Sequence, residues 1–357
     1  MNLILLGWNA KFQETFDNLK DTNLIPARII SEDKGSYVVM TATKEIRSKI
    51  SGAYFYTAKT RIDLPVVGDW VAIQASGELA IIHTLLPRNT LLSRKASGEN
   101  TEEQPLAANI DYVFIISGLD KNYNLRRIER YITLAWNSGA QPIIILNKVD
   151  LVNDNEKLDQ IAHDIEAIAC SLPVHFISSL NNEGLSALSS YFSNNKTVAL
   201  LGSSGVGKST LTNTLLGEVL QKTTSTRESD SKGRHTTTRR QLFQLSDGGM
   251  LIDTPGMREL QLWVDENTID SSFSDIETLA TNCRFRDCTH SHEVGCAVQE
   301  AIAQNTLSKN RLSNYLKMQR EAKYLSKRQK ETSWDTRLED RKFGKRLRNA
   351  RKHLHGL

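Results

Sequence analysis

No apolar run in this chain approaches the roughly 18 residues needed to cross a bilayer. The longest are short, such as 113–116 and 143–146. The opening Met1-Asn2-Leu3-Ile4-Leu5-Leu6 lacks a basic segment and is too brief for the apolar core of an export signal. No membrane contact is expected, and the cytoplasm is the expected location. Cysteine is scarce too: Cys170, Cys283, Cys288 and Cys296 are the four in 357 residues. Three fall within 14 residues, which in a reducing compartment suits a metal site better than a disulfide framework. Neither disorder throughout nor a collagen-like repeat fits 39% hydrophobic and 24% charged residues. The length implies two or three domains.

Charge is uneven. Residues 317–352 hold 14 Lys and Arg against 5 Asp and Glu, a net of +9, so the rest of the chain sums to −5. Such a tail on an acidic body suits a polyanionic partner, nucleic acid first.

The hydrophobic period changes along the chain. Up to residue 95 short strand-like runs (27–31, 37–40, 69–73, 79–85, 90–93) are broken by Gly, Asp and Pro, which predicts a small antiparallel barrel behind a helix within 9–20. Residues 97–105 are polar and turn-rich and read as a linker. Beyond it, strands at 112–117, 142–146, 174–177 and 197–201 alternate with helical spacing at 125–137, 155–170 and 185–192. That alternation predicts a parallel α/β sheet. After about 270 the strands stop, and a Cys/His knot and charged helices follow.

Gly202-Ser203-Ser204-Gly205-Val206-Gly207-Lys208-Ser209 satisfies G-x-x-x-x-G-K-[ST] at every position. A strand precedes it, and a helix from Thr210 to Leu216 follows. Glycines let successive backbone N–H groups wrap phosphates at the positive end of that helix. Lys208 is expected on the β- and γ-phosphates and Ser209 on Mg²⁺. Asp253-Thr254-Pro255-Gly256 ends another strand; Asp253 suits magnesium through water and the Gly256 amide suits the γ-phosphate. Asn147-Lys148-Val149-Asp150 follows the strand 143–146. The Asp150 carboxylate can accept from guanine N1–H and N2–H₂, donors that adenine lacks on that edge, which disfavours an ATPase. Asn147 would tie this loop to the phosphate loop, the Lys148 stem would cover the base, and Ser178-Ser179 would offer an amide to guanine O6. Cys283-x4-Cys288-x-His290-x5-Cys296 gives three thiolates and an imidazole, a set suited to closed, structural Zn²⁺, with His292 competing for the fourth place.

The order of these motifs, base motif before phosphate loop, resembles that of the circularly permuted GTPases of the RsgA (YjeQ) family. Val67-Gly68-Asp69-Trp70-Val71, Leu92-Ser93-Arg94-Lys95-Ala96, Gly233-Arg234-His235-Thr236-Thr237-Thr238 and the Cys/His cluster extend the likeness over nearly the whole chain. The resemblance implies an N-terminal OB-fold barrel (1–97), a permuted P-loop GTPase domain (98–270) and a C-terminal zinc-binding helical domain (271–357), with His290 as the fourth zinc ligand. It implies GTP hydrolysis to GDP, stimulated by the small ribosomal subunit and its rRNA during late assembly; a monomer is expected. The alternative is an RNA-binding assembly checkpoint that uses GTP mainly as an affinity switch.

Met257 stands where many GTPases carry a water-orienting Gln, and a thioether cannot do that work. His235 is the best replacement, since imidazole can hold or polarise water near neutral pH and the resemblance also points to a His in this loop. Thr237 is expected on magnesium and γ-phosphate, and Lys208 completes the catalytic set. Tyr54, Phe55, Tyr56 and Trp70, interleaved with Arg61, Arg88, Arg94 and Lys95, and the tail residues Arg341, Lys342, Lys345, Arg346, Arg348, Arg351 and Lys352 are candidate rRNA contacts, although most of the aromatics are expected in the barrel core. Permutation sends the Asp253 turn straight into the zinc domain, so ordering around γ-phosphate is expected to reorient that domain.

Overall fold

In the computed structural model, the alternating residues of the first 85 positions form five strands: β1 (Ile25–Asp33), β2 (Ser36–Met40), β3 (Glu45–Ile50), β4 (Trp70–Ser76) and β5 (Leu79–Leu85). The structure describes residues 2–33, 35–95, 103–169, 171–217, 240–246, 248–253, 266–291 and 293–327. Cys170, His235, Thr237, Gly256, Met257, His292 and the tail beyond 327 lie outside them. Among the described residues, 2–95 with 103–253 form one compact unit and 266–327 a second.

The five strands run in the order β1-β2-β3-β5-β4, and β4 returns to pair with β1, closing a barrel. This is the arrangement of an OB-fold, with the one parallel pair at β3–β5. Exposed and buried residues alternate along β3, and the inward set (Ala27, Ile29, Tyr37, Val39, Ile46, Val71, Ile73, Ala80, Ile82) is the barrel core. Helix α1 (Ala10–Asp17) brings Phe12 onto Trp70, with ring centroids 5.8 Å apart, and the preceding Trp8 meets Trp70 edge-on at 4.6 Å. A second helix, α2 (Gly52–Thr57), lies between β3 and β4; its signal was Ser51, whose side chain caps the Tyr54 amide.

The linker expected over 97–105 is shorter than its composition suggested. Strand β7 (Glu103–Ala108) begins inside it and pairs with β6 (Leu91–Lys95), Gln104 opposite Arg94 and Pro105 opposite Ser93. Proline is tolerated because this sheet has two strands among the described residues, so no second ladder needs the missing N–H.

The α/β part carries parallel strands β8 (Tyr112–Gly118), β9 (Gln141–Asn147), β10 (Val174–Ile177), β11 (Thr197–Leu201) and β13 (Met250–Asp253), ordered β10-β9-β8-β11-β13, with antiparallel β12 (Arg240–Gln244) paired beyond β13. β8 and β9 are buried almost throughout, as strands covered on both faces must be. Helices α3 (Leu125–Asn137), α4 (Asn155–Ala169) and α5 (Lys208–Leu216) accompany them. The helix expected at 185–192 is instead 3₁₀, and the stretch Leu185–Asn195 is interrupted by non-helical backbone at Ser193 and Asn194. There the Ser189 and Ser190 hydroxyls donate to carbonyls three residues earlier, at Ser186 and Ala187, competing with the regular α ladder.

Barrel and nucleotide sheet are continuous, because β1 also pairs with β12. Arg28, 1% exposed, locks the junction. It donates to the carbonyls of Leu6, Gly68 (3.2 Å) and Asn109 (3.1 Å) and to the Thr197 hydroxyl (3.0 Å). Burial lowers its pKa to about 10. Gly68 is obligatory here: its φ is +92°, and a Cβ would lie 2.1 Å from the Ala108 carbonyl oxygen.

In the second unit, α6 (Glu266–Ser272), α7 (Ser274–Ala280), α8 (Ala297–Ala303) and a helical stretch at 309–327 pack around Phe273, Ile276, Val298 and Met318. Arg311 binds Asp275 (2.7 Å) and covers the Phe273 ring.

Candidate nucleotide pocket and metal centre

Four loops meet at the carboxyl ends of β8, β9, β10 and β11, beside the end of β13, where open α/β sheets place their ligands. Asn147, 2% exposed at the end of β9, stitches three of them together. Its amide donates to the Val206 carbonyl (2.8 Å), and its side-chain oxygen accepts from the Ser179 amide and hydroxyl (3.0 Å each). The phosphate loop can approach this closely only because position 207 is glycine; a Cβ there would lie 2.2 Å from the Asn147 amide nitrogen.

The phosphate loop spans Gly202 to Ser209, with Ser204 and Gly205 as its exposed lip and Val206 buried in the core beneath. Lys208 opens α5, and its ammonium donates to the Gly202 (2.6 Å) and Ser203 (2.8 Å) carbonyls. Burial drives its pKa down to about 8, against the opposing pull of Asp253. Ser209 and Thr210 are half-buried in the first turn of α5. Asp253, 5% exposed, ends β13 close enough to act on Lys208. A hydroxyl at Ser209 and a carboxylate at Asp253 are hard oxygen donors of the kind magnesium takes.

The base corner holds an orphan. One Asp150 oxygen, Oδ1, is buried and has no hydrogen-bond partner among the described residues. Lys148, left-handed at φ +67°, donates to Asp120 Oδ2 and to the Gly205 carbonyl, both at 2.6 Å. Val149 begins the short 3₁₀ turn that carries Asp150. Ser178 and Ser179 are buried after β10, and Ser178 forms a two-way backbone bridge with Glu183.

The loop after β8 was missed in the sequence. Asp120 holds Lys148, the Leu119 amide donates to the Asn147 carbonyl (2.8 Å), and Arg127 donates to the Ser203 hydroxyl (3.0 Å). No known motif marks these residues. The one legible signal was two arginines in the first turn of a helix, the end that repels cations.

Among the candidate RNA contacts, Trp70 is fully buried against Trp8 and Phe12, whereas Phe55 and Tyr56 are 66% and 91% exposed. Arg88 is committed internally: its fork grips Asp69 (2.8 and 2.7 Å) and the Ile62 and Leu64 carbonyls. A cavity of about 720 Å³ opens beside α2, lined in part by Tyr54, His83 and Arg88.

In the second unit the donor atoms of Cys283, Cys288, His290 and Cys296 all lie within 4.8 Å of one another. Cys283 Sγ and Cys296 Sγ are 3.9 Å apart, and His290 Nδ1 is 3.7 and 3.5 Å from them. Tetrahedral ligands about 2.3 Å from a shared ion would sit roughly 3.8 Å apart, so the set fits a four-coordinate metal. Burial opposes ionisation of Cys283, but the amides of Val298 and Ala297 opening α8 bring its thiol below the ordinary range. The Glu293 carboxylate accepts from the Thr289 and Ser291 amides (2.9 Å each) and braces the ligand loop.

Comparison with known proteins decides the family. The RsgA GTPase family model matches residues 85–263. A protein named small ribosomal subunit biogenesis GTPase RsgA from Opitutus terrae is 44% identical over 339 residues, 92% of each chain. The chain belongs to the RsgA GTPase family. Another member so named, from Streptomyces avermitilis, is 42% identical over 89% of this chain and 85% of its own. The fold matches the crystal structure of YjeQ from Thermotoga maritima (TM-score 0.62, 24% identity, 84% of this chain and 98% of that one). It also matches YloQ, described as a circularly permuted GTPase (TM-score 0.58, 25% identity, 85% and 96%). An ABC transporter model matches residues 185–344, a span that includes the phosphate-loop motif.

Proposed function

We propose that this chain binds Mg²⁺ and GTP in the pocket around Asn147, hydrolyses GTP to GDP and phosphate, and acts in late assembly of the small ribosomal subunit, which stimulates turnover. The observation that carries the base preference is the orphaned Asp150 oxygen. A buried acceptor without a donor costs free energy, and guanine N1–H and N2–H₂ supply what adenine cannot. Relatives spanning nearly the whole chain bear a ribosome-assembly GTPase name, which supports the partner.

In this reading Asn147, Lys148, Val149, Asp150, Ser178 and Ser179 hold the base. Residues Gly202 to Thr210 wrap the phosphates, and Lys208 carries charge to the β- and γ-phosphates. Ser209, Asp253 and Thr237 hold magnesium, which when bound neutralises phosphate charge. His235 orients the attacking water, and the Gly256 amide meets the γ-phosphate. Zinc is the proposed metal for Cys283, Cys288, His290 and Cys296: a full set of soft and borderline ligands with no open position is structural. The proposed domains are a barrel at 1–97, a GTPase domain at 98–270 and a zinc domain at 271–357. Phe55 and Tyr56 on the barrel, with the basic tail, are proposed to meet rRNA.

Turnover titrated with purified small and large subunits tests this. Stimulation by small subunits alone is expected. Equal turnover with both, or ATP hydrolysed as well as GTP, would overturn it.

A further inference from the structure

Arg127 is in the wrong place for an ordinary surface arginine. It lies in the first turn of α3, where Asn124 caps its amide (3.0 Å) and no acidic residue offsets the helix dipole. A cation there is electrostatically disfavoured. The side chain is half-buried, and its guanidinium donates to the Ser203 hydroxyl (3.0 Å) and the Asn122 carbonyl (3.4 Å). Among the described residues no carboxylate pairs with it. A half-buried cation, opposed by a helix end and without an anion among the described residues, calls for an anionic ligand.

The neighbourhood says which. Ser203 is the second residue of the phosphate loop, and its carbonyl holds the Lys208 ammonium (2.8 Å). The loop that precedes α3 grips the phosphate loop at both ends: through Asp120 and Lys148 at Gly205, and through Asn122 and Arg127 at Ser203.

We propose that Arg127 is a positioning residue of the phosphate site, which fixes the Ser203 end of the loop and whose uncompensated charge is answered by nucleotide phosphates. This rests on the nucleotide reading of the pocket and adds a second cation to it beside Lys208.

The test uses the full chain with Arg127→Met, Arg127→Lys and Ser203→Ala, measuring GTP and GDP affinity at several salt concentrations together with thermal melting. Arg127→Met is expected to weaken both nucleotides about tenfold and to flatten the salt dependence of binding, because one screened attraction is gone. Its melting temperature should stay within about 2 °C of the wild type, since a cation at a helix N-terminus adds little stability. Arg127→Lys should recover the salt dependence and part of the affinity. Ser203→Ala should lose affinity while keeping the salt dependence. Unchanged affinity in Arg127→Met, or a lowered melting temperature in step with the lost affinity, would overturn the assignment. A wild type that binds no guanine nucleotide would instead overturn the reading of the pocket.

Discussion

Asp150 and Lys208 each make a prediction that depends on chemistry at one atom. Asp150→Asn replaces an acceptor with a donor, so GTP affinity should fall roughly 100-fold or more. Xanthosine triphosphate, which carries a carbonyl where guanine carries its amine, should gain; competition binding with both nucleotides checks the exchange. Lys208 has its pKa lowered by burial to about 8 in the free protein. Anionic phosphate beside the ammonium must raise that value, so binding at pH 8 should take up about half a proton. Affinity should then fall as pH rises above 8. Calorimetry in two buffers of different ionisation enthalpy reads the uptake, and Lys208→Met should abolish it. Asp69 is a structural counterpart. It is fully buried, and burial raises its pKa although Arg88 pulls the other way. Asp69→Ala strands the Arg88 guanidinium, and urea melts should show a loss of about 3–5 kcal/mol.

The elements show how far the sequence could be read. Fully apolar runs such as Ile143-Ile144-Ile145-Leu146 pointed to buried parallel strands, because they are short, rich in β-branched residues and alternate with helical spacing. The phosphate loop and Asn147 were legible for a related reason: their geometry admits few residue types, as Gly207 against Asn147 illustrates. The short pieces were not. β7 hid in a polar stretch because its pairing partner, not its composition, makes it a strand. The 3₁₀ run at Leu185–Asn195 hid because serine hydroxyls, invisible to a count of apolar spacing, compete with the α ladder. Arg127 and Asp120 meet the phosphate loop and the base motif only in three dimensions. The three cysteines of the metal cluster were legible from spacing, which left His290 and His292 competing for the fourth place, and the cluster makes an element-scale prediction. The short helices α7 and α8 flank a ligand loop with little apolar content, so metal removal should melt them. Chelation is expected to lower far-ultraviolet helical signal and release thiols, while GTP binding by the first unit persists.

At the scale of the whole molecule, the joint between barrel and nucleotide sheet matters most. β1 pairs with β4 at Ile25 through Arg28, bulges between Ile29 and Ser31, then pairs with β12 at Ser31 and Glu32. Gln241, opposite Ser31, is also opposite Asp253. One rung of backbone therefore joins the barrel to the acid of the nucleotide pocket. Beside it, Glu32 lies 3.5 Å from Arg240, which also donates to the Pro105 carbonyl. If the barrel reports RNA through this rung, Glu32→Arg or Arg240→Glu should cut stimulation by small subunits about tenfold, and the double exchange should restore much of it. Turnover assays with each variant check this; equal stimulation of all three would refute it.

That joint also constrains synthesis. Glu32 and Arg240 are 208 positions apart, so the outer half of β1 leaves the exit tunnel long before its mate exists. Until then the nascent barrel shows a bare strand rim, the feature that most invites wrong partners. Completion of the barrel's margin must wait until most of the polypeptide has been made.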